Sequence, residues 1–429
     1  MLNLKDKKIT IVGAQKSGIA IAELVLSLGG IPKMTEKKKP EDLNPEVLRF
    51  LQNNSIALEC GGHTKEFVAD SYLLVLSPGV RFDLPTVIWA KENKIPVLGE
   101  IEFAFQFCDK PVIAITGSNG KTTTVTLTDK IIKEAGFKSC LCGNIGSPFS
   151  KFALQSDSFD YFVLEVSSFQ MESLLAKDNK EGFKKFKPFI AAILNFNQNH
   201  LDRHKDMDEY FEAKARIFQN QYKNDFAVLN HSSEKLKFLA QKLSSKVVFF
   251  NDDRDNKFSD NQNHLAVLAI ANILKIKPEI CKKVFSEFKG VEHRLEWVRN
   301  LDGVEYINDS KSTTAEAGEW AINRMTKPIV MICGGSDKHL DYSWLKKLVK
   351  DKVKTMIVIG DIKGQLKNTF ADVVNVIEGE SFEAAVKLAQ NNSTNGDCVL
   401  LSPMTASFDM FDNFEERGKV FKQIVNKLK

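Results

Sequence analysis

The chain has 429 residues, 43% of them hydrophobic and 27% charged, the balance of an ordinary globular protein and unlike disordered, collagen-like or disulfide-scaffold chains. At roughly 150 residues per domain this length predicts about three domains. The 59 Lys and Arg against 55 Asp and Glu leave a net charge of +4, too small over such a length for a nucleic-acid platform, so no nucleic-acid partner is expected.

No apolar stretch reaches the roughly 18–20 residues that a spanning helix needs. Met1 to Lys8 carries three lysines without the apolar core of a signal peptide, so a cytoplasmic protein without membrane insertion is expected. The seven cysteines form no CxxC pair, which predicts reduced, mostly buried thiols rather than disulfides or a thiolate zinc site. No long apolar seam suggests self-association, and a monomer is expected.

Short β-rich runs alternate with amphipathic helical stretches, the pattern of an α/β chain with largely parallel sheets. Ile9-Thr10-Ile11-Val12-Gly13 reads as a strand ending in a turn, followed from Ser17 by a helix. In that turn Gln15 stands where a dinucleotide fingerprint has its second glycine, leaving two readings: a packing turn, or a turn whose N–H groups hold a diphosphate. Leu73 to Leu76 is a second strand running into Ser77-Pro78-Gly79, and Ile95 to Leu98 closes a first domain near residue 105.

A new strand, Pro111 to Thr116, feeds Gly117-Ser118-Asn119-Gly120-Lys121-Thr122-Thr123 and a helix from Lys121. Glycines let backbone N–H groups close on phosphate oxygens; Lys121 would reach terminal phosphates and the Thr122 hydroxyl would ligate Mg²⁺. The fuller phosphate-loop pattern wants glycine at 115, where this chain has Ile115. Glu165, at the end of the apolar run from Tyr161, supplies the carboxylate such a metal needs. After a strand from Ile190 to Leu194 comes Asn195 to His204, whose two histidines lack the glutamate of a zinc-protease HExxH motif. Strands Phe226 to Leu229 and Val247 to Phe250 and a helical pair, about 262–274 and 278–288, finish this part. A third set of strands starts at Val304, Ile329, Met356, Val373 and Val399, with a hinge expected at 295–303.

The motifs TGSNGKTTT (116–124), GNIGSP (143–148), LEVSSFQME (164–172), ILNFNQNHLDRH (193–204), YFEAKARIF (210–218), EHRLEWV (292–298), NDSKST (308–313) and LSPMTASFDMFDNFEERG (401–418) arrive in the order of the Mur ligase family, which the chain resembles nearly end to end. The resemblance implies three domains: a Rossmann-like 1–105 for a UDP substrate, a P-loop ATPase-type 106–298, and a Rossmann-like 299–429 for an amino acid. The SSFQ and SFDMF versions resemble the member that joins D-glutamate to UDP-N-acetylmuramoyl-L-alanine in peptidoglycan precursor synthesis. There, ATP phosphorylates the substrate carboxylate and the amine attacks the acyl phosphate, giving an amide, ADP and phosphate. The alternatives are a related Mur-type ligase, a folylpolyglutamate synthetase, or a catalytically silent nucleotide-binding relative.

By resemblance Lys121, His200, Lys214 and Lys311 are catalytic, and Thr122, Glu165, His200 and Lys214, the last as a CO2-derived carbamate, serve two Mg²⁺ sites. Gly117 to Thr123, Asn263, Arg294 and Asp309 would bind ATP; Ser17, Thr35, Ser77 and Asn144 the UDP substrate; Thr313, Lys338, Ser407 and the Phe414 backbone D-glutamate. The chain departs from the family pattern at Asn199, where an aspartate is usual, at Thr35 followed by Glu36, at Ser259-Asp260, and in the GGSDK stretch ending at Lys338.

Overall fold

The computed structural model describes residues 2–175, 182–197, 205–252, 259, 261–288, 290–338 and 340–429. Two compact units, Met1–Phe288 and Lys289–Lys429, divide the chain.

The first unit carries two parallel sheets. β1 (Lys8–Val12), β2 (Ile31–Glu36), β3 (Ala57–Cys60), β4 (Leu73–Leu76) and β5 (Val97–Gly99) lie in the order β3-β2-β1-β4-β5. Order reverses between β1 and β4, which opens a crevice at the carboxyl end of β1, where α/β sheets receive ligands. The turns after β1 (from Gly13) and β4 (Ser77) both face it. β6 (Val112–Thr116), β7 (Ser139–Gly143), β8 (Tyr161–Glu165), β9 (Ile190–Ile193), β10 (Phe226–Asn230) and β11 (Lys246–Phe250) form the second sheet, in the order β11-β10-β9-β6-β8-β7. β6 is central, and every one of its residues is buried, as befits a parallel strand covered on both faces. Its register sets Ile115 opposite Glu165 and Thr116 opposite Ile193, so the loops after β6, β8 and β9 emerge side by side.

Two cores flank the second sheet. One face packs Ile115, Val163 and Val228 against the helices Lys121–Glu134, Gln262–Ile273 and Pro278–Glu287. The other packs Ala114, Phe162 and Leu229 into a cluster continuous with the first sheet through Phe103 and Phe105 of the helix Glu100–Phe105. Phe105 meets Phe186 edge-on at 5.3 Å. That shared cluster makes the first two sheets one unit.

In the second unit β12 (Glu296–Leu301), β13 (Val304–Asn308), β14 (Ile329–Gly334), β15 (Val353–Ile359), β16 (Asn375–Glu378) and β17 (Cys398–Leu401) run in the order β12-β13-β17-β14-β15-β16. Residues 295–303, expected as a hinge, form most of a hairpin: β12 pairs antiparallel with β13 through a turn at Asp302 (φ 51°) and Gly303 (φ 80°). Val298 and Leu301 pack into the cluster that holds Phe421 and Val425 of the helix Phe414–Lys427. Residues 290–298 therefore fold with the C-terminal unit and not with the central sheet. The last-but-one strand also begins two residues later than expected, at Asn375.

All seven cysteines are free; Cys60 is half-buried and the other six are buried. Among the described residues no helix is long and apolar enough to cross a membrane.

Candidate active site

The loop after β6 is held open by its glycines and pinned by asparagines. Gly120 has φ 80° and caps the helix Lys121–Glu134, a left-handed conformation that side chains resist; a Cβ there would also lie 2.3 Å from Asn263 Oδ1. Asn263 thus sits against the loop. The Asn119 N–H donates to Asn195 Oδ1 (2.8 Å) and the Ser118 N–H to the Asn195 carbonyl (3.2 Å). Ser118 Oγ accepts from the Asn197 N–H (2.9 Å) and donates to its carbonyl (3.0 Å). Sequence reasoning gave Asn195 and Asn197 no role, although both lie in the quoted ILNFNQNH stretch.

Thr122 and Glu165 meet directly. The Thr122 hydroxyl donates to Glu165 Oε2 at 2.8 Å, and Asn144 Nδ2 donates to Oε1 at 2.8 Å. The neighbouring order β6-β8-β7 makes this chain, since the three residues lie at or just beyond three adjacent strand ends. Glu165 is 3% exposed, and burying a carboxylate demands such partners. Lys121 Nζ donates to the Gly117 carbonyl (2.8 Å) and the Ser118 carbonyl (3.1 Å). Thr123 is half-buried in the first helical turn.

Lys214, on the helix Met207–Ala215, is 1% exposed, and its Nζ donates to the same Gly117 carbonyl at 3.0 Å. No carboxylate among the described residues pairs with it. Burial, and then the charge of Lys121, pushes its pKa well below the lysine range, which favours the neutral amine over the ammonium. One turn earlier Tyr210 presents its ring 4.5 Å from Lys214 Nζ, and its hydroxyl lies 3.3 Å from Ser118 Oγ. Tyr210 was missed; its spacing of four residues from Lys214 was the available signal. His200 and Asn199 lie outside the described residues, as does Asp260.

At the first sheet, the Gly13 N–H donates to the Thr35 carbonyl (2.9 Å), the Ala14 N–H to Glu36 Oε2 (2.8 Å) and Ser77 Oγ to the Gly13 carbonyl (3.1 Å). The helix Lys16–Ser27 starts without a side-chain cap, and half-buried Ser17 lies in its first turn. Uncapped N–H groups of this kind suit an anion. Lys16 Nζ reaches the Gly146 carbonyl at 2.6 Å, bringing this turn to the loop that carries Asn144. Thr35 itself is fully buried, its hydroxyl donating to Glu59 Oε2 at 2.6 Å. Successive side chains of a strand point to opposite faces, so Glu36, and not Thr35, meets the glycine turn.

In the C-terminal unit Asp309 accepts from the Leu295 N–H (3.1 Å) and from Ser402 Oγ (3.2 Å). Burial raises its pKa to about 7, against those bonds and the nearby Arg294 charge. Arg294 lies 5.4 Å from the Trp320 ring and Lys311 5.8 Å from the Phe414 ring. Lys338 Nζ donates to the Thr313 carbonyl at 3.2 Å, and burial followed by Arg417 lowers its pKa. The buried Ser407 turns the chain by accepting from the Phe411 N–H at 2.8 Å, and the Phe414 carbonyl accepts from Ser310 Oγ at 2.8 Å.

Arg417, which sequence reasoning did not single out, ties these loops together. It is 0% exposed and donates to Ser310 Oγ and the Ser310 carbonyl (3.0 Å each) and to the Thr405 and Ala406 carbonyls (3.2 Å each). Its spacing of four from Phe421 placed it on the buried stripe. Among the described residues Glu292, His293 and Glu296 approach one another closely enough to hold a metal, but Lys422 already contacts both glutamates, Glu296 at 2.9 Å.

Three family models match in sequence: Mur ligase MurD-like, N-terminal domain over residues 7–99, Mur ligase middle domain over 115–291, and Mur ligase, glutamate ligase domain over 293–404. The UDP-N-acetylmuramoylalanine–D-glutamate ligase of Koribacter versatilis is 37% identical, covering 100% of this chain and 99% of its own. That of Clostridioides difficile is 38% identical, covering 100% of both. Among solved structures, a MurF ligase from Thermotoga maritima in complex with ADP shares the fold with a TM-score of 0.56 at 14% identity, over 99% of this chain and 96% of that one. Three matching models over most of the chain and full-length relatives above a third identity lead to one conclusion: the chain belongs to the Mur ligase family.

Proposed function

We propose that the protein joins D-glutamate to UDP-N-acetylmuramoyl-L-alanine using ATP, in the cytoplasm and as a monomer, as a step of peptidoglycan precursor synthesis. The γ-phosphoryl group passes to the substrate carboxylate, the D-glutamate amine attacks the acyl phosphate, and amide, ADP and phosphate result. The observation that carries this reading is the chain Thr122–Glu165–Asn144 set beside the buried Lys214 on one phosphate loop.

Gly117 to Thr123 would cradle the ATP phosphates, with Lys121 opposing the charge that builds on the transferred group. Two buried oxygen donors 2.8 Å apart, Thr122 Oγ1 and Glu165 Oε2, fit a small hard cation such as Mg²⁺. When bound, Mg²⁺ supplies neutralisation of phosphate charge. A neutral Lys214 amine is the form that takes up CO2, and as a carbamate it would join His200 in holding a second Mg²⁺.

Ser17, Ser77 and Asn144 would hold the UDP substrate, with Glu36 at the turn in place of Thr35. Asn263, Arg294 and Asp309 would complete the ATP contacts, with Lys311 beside the phosphates. Thr313, Lys338, Ser407 and the Phe414 backbone would take D-glutamate, an anion suited to one cation and hydroxyl groups. Phosphate release from Mg-ATP and UDP-N-acetylmuramoyl-L-alanine, with amino acids supplied singly, tests the reading. Release with D-glutamate alone is expected; release with L-lysine, diaminopimelate or a folate would sink it.

A further inference from the structure

The carboxyl edge of the first sheet holds a hydrogen-bonded chain that phosphate binding does not use. Thr35 Oγ1 donates to Glu59 Oε2 at 2.6 Å and lies 2.7 Å from His63 Nδ1. A hydroxyl has one proton, and an ionised carboxylate only accepts. With that proton on the bond to Glu59, the contact to His63 exists only if Nδ1 donates. The imidazole is then the Nδ1–H tautomer, and its lone pair lies on Nε2. Glu59 is itself held at Oε1 by the Thr64 N–H at 3.1 Å and by the Thr64 hydroxyl, so the chain has a fixed far end.

His63 is half-buried. Burial is the largest influence on it and favours the neutral ring, against Glu59 and Glu36 and together with Lys37. The chain abuts the glycine turn: the Gly62 N–H donates to the Glu36 carbonyl at 3.4 Å, and Glu36 receives the Ala14 N–H at 2.8 Å. Both Glu36 oxygens are engaged, since Oε1 takes the Lys38 N–H at 3.1 Å. No described residue hydrogen-bonds His63 Nε2. A nucleotide whose diphosphate lies on the turn after β1 places its ribose at the end of β2, beside the loop after β3 that carries His63.

We propose that His63 Nε2 reads the imide N3–H of the uracil base, in a tautomer fixed by Thr35 and Glu59. Uracil offers a hydrogen at N3 where cytosine offers a lone pair, so the same acceptor attracts one base and repels the other. The inference rests on the reading that this edge binds a UDP substrate.

Calorimetric titration of the full chain with UDP, CDP and 3-methyl-UDP tests it. The native protein is expected to bind UDP about tenfold more tightly than either analogue, the difference between one hydrogen bond made and one left unmade. His63→Ala should lose that preference, weakening UDP and no longer repelling CDP, while His63→Gln, whose amide oxygen accepts, keeps part of it. Thr35→Val should lower the UDP-to-CDP ratio, because the freed imidazole can also present Nε2–H to cytosine. Equal UDP and CDP binding by the native protein, or an unchanged ratio in His63→Ala, would overturn the inference. So would a ratio lost in Glu36→Gln and kept in His63→Ala. Failure of the native protein to bind UDP at all would instead remove the UDP-substrate reading.

Discussion

Replacing Asp309 with asparagine isolates the cost of ionising a buried carboxyl in the C-terminal unit. The side chain is 3% exposed, and its pKa rises from an ordinary 3.8 to about 7. A group whose pKa is higher in the folded than in the unfolded state contributes fully below the unfolded value and loses that contribution as pH rises through the folded one. Stability tied to Asp309 therefore falls between pH 3.8 and about 7 and is level above. At about 1.4 kcal/mol per tenfold change in proton affinity, the displacement amounts to about 4 kcal/mol. In Asp309→Asn the amide oxygen still accepts from the Leu295 N–H, the amide nitrogen meets Ser402 Oγ, and no charge forms. Melting curves at half-unit steps from pH 5 to 9 should show the variant gaining on the native protein until about pH 7. The gain should then hold, on the order of 10 °C for the C-terminal transition. ATP affinity should fall in the same variant, because the charge of the proposed ATP contact is lost. Parallel melting temperatures across that pH range would refute the reasoning.

Two further substitutions address the buried cations. Lys214→Ala should lower ligase turnover about a hundredfold or more, and short carboxylic acids such as acetate should restore part of it by standing in for the carbamate; full unrescued activity would count against a carbamate. Arg417→Met leaves the Ser310, Thr405 and Ala406 carbonyls without their donor and should destabilise the C-terminal unit by about 3–5 kcal/mol. A chemical-denaturation loss below about 1 kcal/mol would show that those bonds contribute little.

Much of this architecture was legible because it depends on local pattern. β4 and β6 are short apolar runs closed by turn residues, and the glycines around Ser118 mark a loop whose backbone can approach an anion. Glu165 was legible for a similar reason, as a charge ending an apolar run. β12 was not: Arg299 and Asn300 break its apolar content, and as an edge strand it leaves Trp297 57% exposed. The Asp302-Gly303 pair was nonetheless a hairpin signal. Thr35 was placed one residue from the group that faces the turn, because a strand's alternation is invisible until its register is known. His63 and Tyr210 depend on contacts between segments distant in sequence, Thr35 for one and Ser118 for the other.

The ionisable groups buried at the proposed sites share a property that no residue pattern reveals. Glu165 is satisfied by a hydroxyl and an amide, Asp309 by a backbone N–H and a hydroxyl, Lys214 by a carbonyl, Arg417 by three carbonyls and a hydroxyl. None of the four forms an ion pair among the described residues. Away from these sites charges cancel directly, as where Lys422 bridges Glu292 and Glu296 or Lys354 meets Asp397 at 2.8 Å. Neutral partners satisfy hydrogen-bonding capacity without neutralising charge. A carboxylate so held keeps its attraction for a cation, whereas an ion pair would have to break before the cation could bind. For Lys214 the consequence is specific: a carboxylate within reach would raise its pKa, and since no described residue supplies one, burial and the charge of Lys121 lower it unopposed.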